Sequence, residues 1–213
     1  RTDAALNLLK NPELDCAIKD NGGRMAIDYA TSAGLKDLVA ALSQTGEADA
    51  DAYGDTTLHH ACWSEQCEVV KILLEKDPDS ANRLNDEGES PLILAARRSN
   101  LMIVQLLLDS GARPDCSDAD GIVPLHIAAE KGELFLGKAL LAAGADLNRK
   151  ASDGRTPLIF AARNGKNDFT AMLIEAGADV NSVDNRQHSA LFYASEAGYA
   201  EIVEQLLMAG ADA

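Results

Sequence analysis

Aromatic residues make up only 4% of this 213-residue chain, and there is a single tryptophan. With 46% apolar residues the chain is long enough for a substantial core, but that core must pack through Ala, Leu, Ile and Val, which suits slim helices at close approach. No stretch nears the roughly 18 consecutive apolar residues of a membrane span, so membrane insertion is not expected, and no signal peptide is visible. Cysteine is sparse: Cys16, Cys62, Cys67 and Cys116 are scattered without a regular framework. That pattern favours free thiols in a reducing compartment, the cytosol or nucleus. Basic residues are few, 19 Lys and Arg against 34 Asp and Glu, for a net charge of −15. Such a surface repels phosphates, which argues against direct nucleic-acid binding. A basic partner is favoured by steering, although the same acidity also keeps a long scaffold soluble.

What the chain has in abundance is itself. Ile27, Leu58, Leu92, Leu125, Leu158 and Leu191 mark about six copies of one pattern, with steps of 31, 34, 33, 33 and 33 residues. Thr156-Pro157 and Ser90-Pro91 read as an N-cap followed by a first-turn proline. Ala95-Ala96, Ala128-Ala129 and Ala161-Ala162 keep a first helix slim, and Gly132, Gly165 and Gly198 stop it. Aliphatic runs such as Ile103-Val104 with Leu106-Leu107-Leu108 then recur at helical spacing. Gly111-Ala112, Gly144-Ala145, Gly177-Ala178 and Gly210-Ala211 end the second helix, and a polar, turn-rich segment leads into the next copy. A period of this size marks a solenoid, in which each unit buries its apolar face against its neighbours.

The pattern resembles the ankyrin repeat. The best copy runs Asp153-Gly154-Arg155-Thr156-Pro157-Leu158, Ala161-Ala162, Gly165, Leu173 and Gly177-Ala178-Asp179-Val180-Asn181. The resemblance implies an all-α fold of stacked helix–turn–helix units with short β-hairpin-like loops. Repeat boundaries are expected near 20–50, 51–84, 85–117, 118–150, 151–183 and 184–213, as one array, with 1–19 a remnant of a preceding repeat or a cap. In that remnant Ala5-Leu6 and Leu8-Leu9 would be apolar and Pro12 would end the helix. Departures fall near the ends. The first copy lacks the Thr-Pro pair, Glu65 and Gln187 stand where glycine is expected, and Ala190 replaces proline.

Candidate sites divide into a cluster and a surface. His59, His60, Cys62 and Cys67 lie within nine residues and carry metal-ligand chemistry. The register argues against a shared ion, because His59 takes a structural histidine position and the cysteines replace small or buried residues; no metal and no cofactor is expected. His126 occupies the same position as His59. Nothing resembles a nucleophile with a partnered base, a phosphate-binding glycine loop or a carboxylate pair across a cleft, so an enzyme is not expected.

The resemblance implies that partners are held by hairpin tips and by exposed first-helix positions on the concave side. By register these include Tyr53, Asp55, Trp63, Asp86, Glu87, Glu89, Arg97, Arg98, Asp120, Ile122, Glu130, Lys131, Arg155 and Arg163. Trp63 reads either as a binding anchor beside Tyr53 or as a ring packed sideways near Glu65. Arg97 and Arg98 read either as a clamp for a partner's carboxylate or phosphate or as ion-pair partners of the acidic hairpins. Asn148 and Asn181 match the family's asparaginyl hydroxylation position, where asparagine also stabilises the turn. The expected function is a non-catalytic, monomeric protein-binding scaffold that takes a protein or peptide segment with basic residues. The alternative is a regulatory ankyrin domain of a larger enzyme or channel, acting on its own chain. A chain beginning at Arg1 is expected to belong to a longer polypeptide.

Overall fold

The computed structural model describes residues 16, 18–43 and 50–212, so the expected N-terminal helix around Ala5 to Pro12 lies outside the described residues. Twelve α-helices occur among the described residues, in pairs, with one 3-10 turn at Pro78–Asn82. They fall into two compact units, Arg1–Arg113 and Pro114–Ala213. The first unit holds α1 (Ala26–Ser32), α2 (Lys36–Leu42), α3 (Thr57–Trp63), α4 (Cys67–Lys76), α5 (Pro91–Arg97) and α6 (Leu101–Asp109). The second holds α7 (Pro124–Lys131), α8 (Leu134–Ala142), α9 (Pro157–Arg163), α10 (Asn167–Glu175), α11 (Ala190–Ala197) and α12 (Ala200–Met208).

Within each unit first helices pack on first helices and second on second: α1 on α3 on α5, α2 on α4 on α6, then α7 on α9 on α11 and α8 on α10 on α12. The alanine pairs permit this, since Ala95, Ala128, Ala161 and Ala162 are fully or almost fully buried. Leu92, Leu125 and Leu158 of the first helices and Leu107, Leu140 and Leu173 of the second fill the core. Each such side chain contributes about 1.5–3 kcal/mol on burial. Ser90 and Thr156 cap as expected, accepting the amides of Ile93 at 3.3 Å and Ile159 at 3.4 Å.

A tight turn opens every repeat. Asp51 N–H donates to the Asp55 carbonyl at 3.0 Å, and the pattern repeats at Asp20, Asn85, Asp118, Ala151 and Asp184. Except at Ala151, the side chain of the turn's first residue closes it: Asp51 Oδ1 accepts from Tyr53 and Asp55, and Asp184 Oδ1 from Arg186 and His188. Neighbouring turns are zipped together, with Asp86 N–H on the Tyr53 carbonyl and Asn185 N–H on the Asp153 carbonyl. This approach excludes a side chain between them. A Cβ on Gly54 or Gly154 would sit 2.7 Å from the amide nitrogen of the next turn, and both residues have positive φ. The hairpin character is slight, one isolated antiparallel bridge among the described residues, between Val183 and Ser189.

The expected departures appear as backbone strain. Glu65 and Gln187 adopt left-handed φ values of 59° and 65° in place of glycine, and Ser99 does the same at 55° at the end of α5.

Candidate partner-binding surface

The first unit carries a cleft of about 480 Å³ between its hairpins and first helices, lined by Tyr53, Asp55, His60, Trp63, Asp86 and Glu87 among others. Tyr53 projects from a hairpin and is 64% exposed; Trp63 closes α3 and is 52% exposed. Arg98 lies over the Trp63 ring, its Cζ 5.2 Å from the centroid, and donates to Glu65 Oε1 from Nη2 at 2.7 Å and from Nε at 3.1 Å. The guanidinium beside Glu65 holds that carboxyl below its ordinary range. Both readings of Trp63 therefore meet in one place: the ring is presented to solvent, and one face leans on an ion pair that steadies it.

The acidic hairpin residues are not equivalent. Asp86 and Glu87 are exposed at their tip. Asp55 is half-buried and accepts from Asn85 Nδ2 at 2.9 Å. Glu89 is buried rather than presented, and its Oε1 pairs with Arg97 Nε at 2.8 Å. Arg97 and Arg98 are thus both held by carboxylates of their own unit.

In the second unit Asp120, Glu130, Lys131 and Arg163 are exposed and Ile122 is half-buried. Arg155 departs from the surface expectation. Its guanidinium is 18% exposed, pairs with Asp153 at 3.0 Å, donates to the Tyr193 hydroxyl at 3.3 Å and lies 3.8 Å from Asp184. Arg163 stacks over the same Tyr193 ring at 5.9 Å. Asn148 and Asn181 are exposed, but their Oδ1 atoms accept the amides of Asp179 at 2.9 Å and Asp212 at 2.8 Å. Asn82 and Asp115 make the same bond to the residue 31 positions on, so at these four positions a side-chain oxygen ties one repeat to the next.

The two register histidines are structural. His59 Nδ1 accepts the amide of Thr56 at 3.1 Å and Nε2 donates to the Glu89 carbonyl at 3.1 Å. His126 accepts from Val123 and donates to the Arg149 carbonyl at 2.9 Å. Burial lowers both pKa values, so each ring stays neutral. His59, His60, Cys62 and Cys67 do not gather around one point. Cys62 is fully buried with its thiol pushed far up by desolvation, and both nitrogens of His59 are occupied. A different group does converge: ligand atoms of Asp51, Asp55 and His60 lie within 4.8 Å of one another. The sequence carried a signal for it, since Asp20 and Tyr29, Asp51 and His60, and Asp184 and Tyr193 share a nine-residue spacing.

The family model for ankyrin repeats matches in three copies, over residues 2–82, 78–151 and 125–213. The chain belongs to the ankyrin repeat family. Ankyrin repeats generally mediate protein–protein interaction, and the all-α stacks described above are the family's fold. Among ankyrin relatives, the chain is 38% identical over 84 residues to ankyrin repeat and SOCS box protein 16 of Homo sapiens, 39% of this chain and 18% of that protein. It is 29% identical over 121 residues to a putative ankyrin repeat-containing protein of Treponema pallidum, 55% of this chain and 40% of that one. It is also 38% identical over 71 residues to the transient receptor potential cation channel subfamily A member 1 of Homo sapiens, 33% of this chain and 6% of the channel. The matches span less than half the length of each of these relatives.

Proposed function

We propose that this ankyrin domain is a non-catalytic scaffold that binds a protein segment bearing Lys or Arg side chains along the cleft of its first unit. The observation that carries the reading is the pair of exposed rings, Tyr53 and Trp63, on a cleft whose rim holds Asp86 and Glu87. Exposed Tyr and Trp beside a concavity supply contact area at low entropic cost. Acidic residues at the rim favour a cationic segment and exclude an anionic one. Arg97 and Arg98 brace the floor through Glu89 and Glu65, and clamping a partner's acid is not part of their role in this reading. The same reading has the domain monomeric and working in the cytosol or nucleus, with Cys62 packed as a small apolar side chain. A peptide array of matched basic, neutral and acidic segments tests it, with retention of the fluorescently labelled domain on each spot as the readout. Selective capture of basic peptides, lost in Tyr53→Ala with Trp63→Ala, supports the reading; preference for acidic peptides, or capture that survives the double substitution, overturns it.

A second reading has the domain regulating a larger chain of which it is part. The similarity to a segment of a cation channel favours it. Here the basic segment would come from the same polypeptide, and adding that segment in trans would compete with it.

A further inference from the structure

In three repeats of this chain the turn aspartate faces a ring nine residues on, from the middle of the first helix. In two of them the ring is a phenol that satisfies the carboxylate: Tyr29 donates to Asp20 Oδ2 at 2.6 Å, and Tyr193 donates to Asp184 Oδ2 at 2.6 Å. In the second repeat the ring is His60, opposite Asp51. Its Nε2 lies 3.2 Å from Asp51 Oδ2, yet both atoms are buried and neither has a hydrogen-bond partner. The Asp51 side chain has no solvent exposure, and its other oxygen is already taken by the amides of Tyr53 and Asp55. Buried polar atoms are ordinarily satisfied. Here an oxygen and a nitrogen converge on the same space without bonding one another.

A third donor reaches that space. The Asp55 carboxylate completes a group whose ligand atoms lie within 4.8 Å, and Asn85 Nδ2 steadies it through one oxygen at 2.9 Å. We propose that Asp51, Asp55 and His60 bind a divalent transition-metal ion of the zinc class, with solvent completing the coordination. Two carboxylates and an imidazole suit zinc and its neighbours, whereas calcium and magnesium take oxygen donors. Metal–ligand bonds of about 2.0–2.2 Å place adjacent ligand atoms of a tetrahedral site roughly 3.3–3.6 Å apart, and Nε2 and Oδ2 stand 3.2 Å apart, close to that span. Asp55 and His60 line the open cleft, which gives the ion and its water a way in. His59 takes no part, because both its nitrogens are bonded elsewhere. Arg24 is the resident competitor: its Nε lies 3.8 Å from Asp51 Oδ2, and its side chain is 45% exposed and can swing outward.

The test titrates the tag-free, chelator-stripped chain with Co²⁺ and then Zn²⁺, following cobalt absorbance and the emission of Trp63, the sole tryptophan. The expected result is saturable uptake of one equivalent with quenching of Trp63, reversed in the cobalt signal by zinc. His60→Tyr restores the tyrosine–aspartate pairing of the first and sixth repeats, so it should keep the fold and weaken binding by more than about tenfold. Arg24→Ala should tighten binding, and Cys67→Ser should leave it unchanged. Absence of saturable uptake, uptake that persists in folded His60→Tyr, or loss in Cys67→Ser overturns the proposal. The metal site does not depend on the basic-partner reading, and neither outcome of the peptide array bears on it.

Discussion

Tyr193 donates its phenolic proton to Asp184 Oδ2 at 2.6 Å, joining the turn that opens the sixth repeat to the helix that follows it. Arg155, from the preceding repeat, lies over the same ring and within 3.8 Å of the same oxygen. The first unit has the matching set in Arg24, Asp51 and His60, with Arg24 again 3.8 Å from the carboxylate. Position for position, a cation from one repeat and a ring from the next flank a turn aspartate, but only Tyr193 bonds to it.

Tyr193→Phe removes the bond to a buried carboxylate and leaves Oδ2 with only the distant Arg155. Loss of a hydrogen bond to a charged group costs about 1.5–3 kcal/mol. Burial pushes the Asp184 carboxyl up, but the Tyr193 hydroxyl and the amides of His188 and Arg186 hold it below its ordinary 3.8. Its stabilisation is therefore present above that pH and lost as the pH falls through the lower folded-state value. Urea melts of Tyr193→Phe at neutral pH should show the loss, and it should shrink as the pH falls below 3.8.

His59 and His126 act with the opposite proton bookkeeping to a histidine that gains a partner. Burial lowers both below 6.5, so the unfolded chain binds protons first. Stability should be full above about pH 6.5 and fall as the pH drops below it. Thermal melts at pH 7.5 and 5.5 check this. A double His59→Asn, His126→Asn variant should be less stable at pH 7.5 and should flatten the slope.

Gln187 holds the left-handed turn position that glycine fills elsewhere, as at Gly54 and Gly154. A left-handed conformation costs a non-glycine residue about 1–2 kcal/mol. Gln187→Gly should raise the stability of the second unit by about 1 kcal/mol, after the greater chain entropy of glycine is offset. A drop in melting temperature would show that the Gln187 side chain contributes more than its strain removes.

Trp63→Ala should separate binding from folding. The ring is half-exposed and rests on Arg98, so truncation should change stability by less than about 1 kcal/mol. For a basic peptide seated in the cleft, affinity should fall at least about tenfold. Equal losses in both measurements would place Trp63 in the core rather than at the site.

Asn148→Ala and Asn181→Ala each remove the acceptor for an amide 31 residues on, in the next repeat. The expected cost is about 1 kcal/mol apiece. Hydrogen exchange should quicken at Asp179 and Asp212 respectively, which distinguishes a broken tie between repeats from a general loosening.

The periodicity of Leu58, Leu92, Leu125, Leu158 and Leu191, the capping Ser90-Pro91 and Thr156-Pro157, and the glycine stops were enough to define the helix pairs and their family. Those signals are local: a cap, a helix stop and an apolar stripe act within one repeat, and each copy confirms the others. The exposure of Trp63 and Tyr53 was also legible, because register alone says which positions of a slim helix no neighbour covers. What the copies do not share was not legible. Glu89 and Arg155 stand at hairpin positions that register marks as exposed, yet Arg97 draws in the first, while Tyr193 and Asp184 draw in the second.

Sequence by itself thus determined the repeat, its helices and the residues that make them pack, since these follow from backbone chemistry and an apolar period within about 33 residues. Only the tertiary structure decided which polar side chains find one another. Arg24 with Asp51, Asp55 with Asn85, and Arg155 with Asp184 are 27 to 30 residues apart in the chain and are brought together by stacking. It also decided that His60 Nε2 and Asp51 Oδ2 face each other unbonded while Tyr193 and Asp184 bond. The physical reason is geometric: a hydrogen bond depends on tenths of an ångström and on angle, and a repeat period specifies neither for side chains that differ from copy to copy.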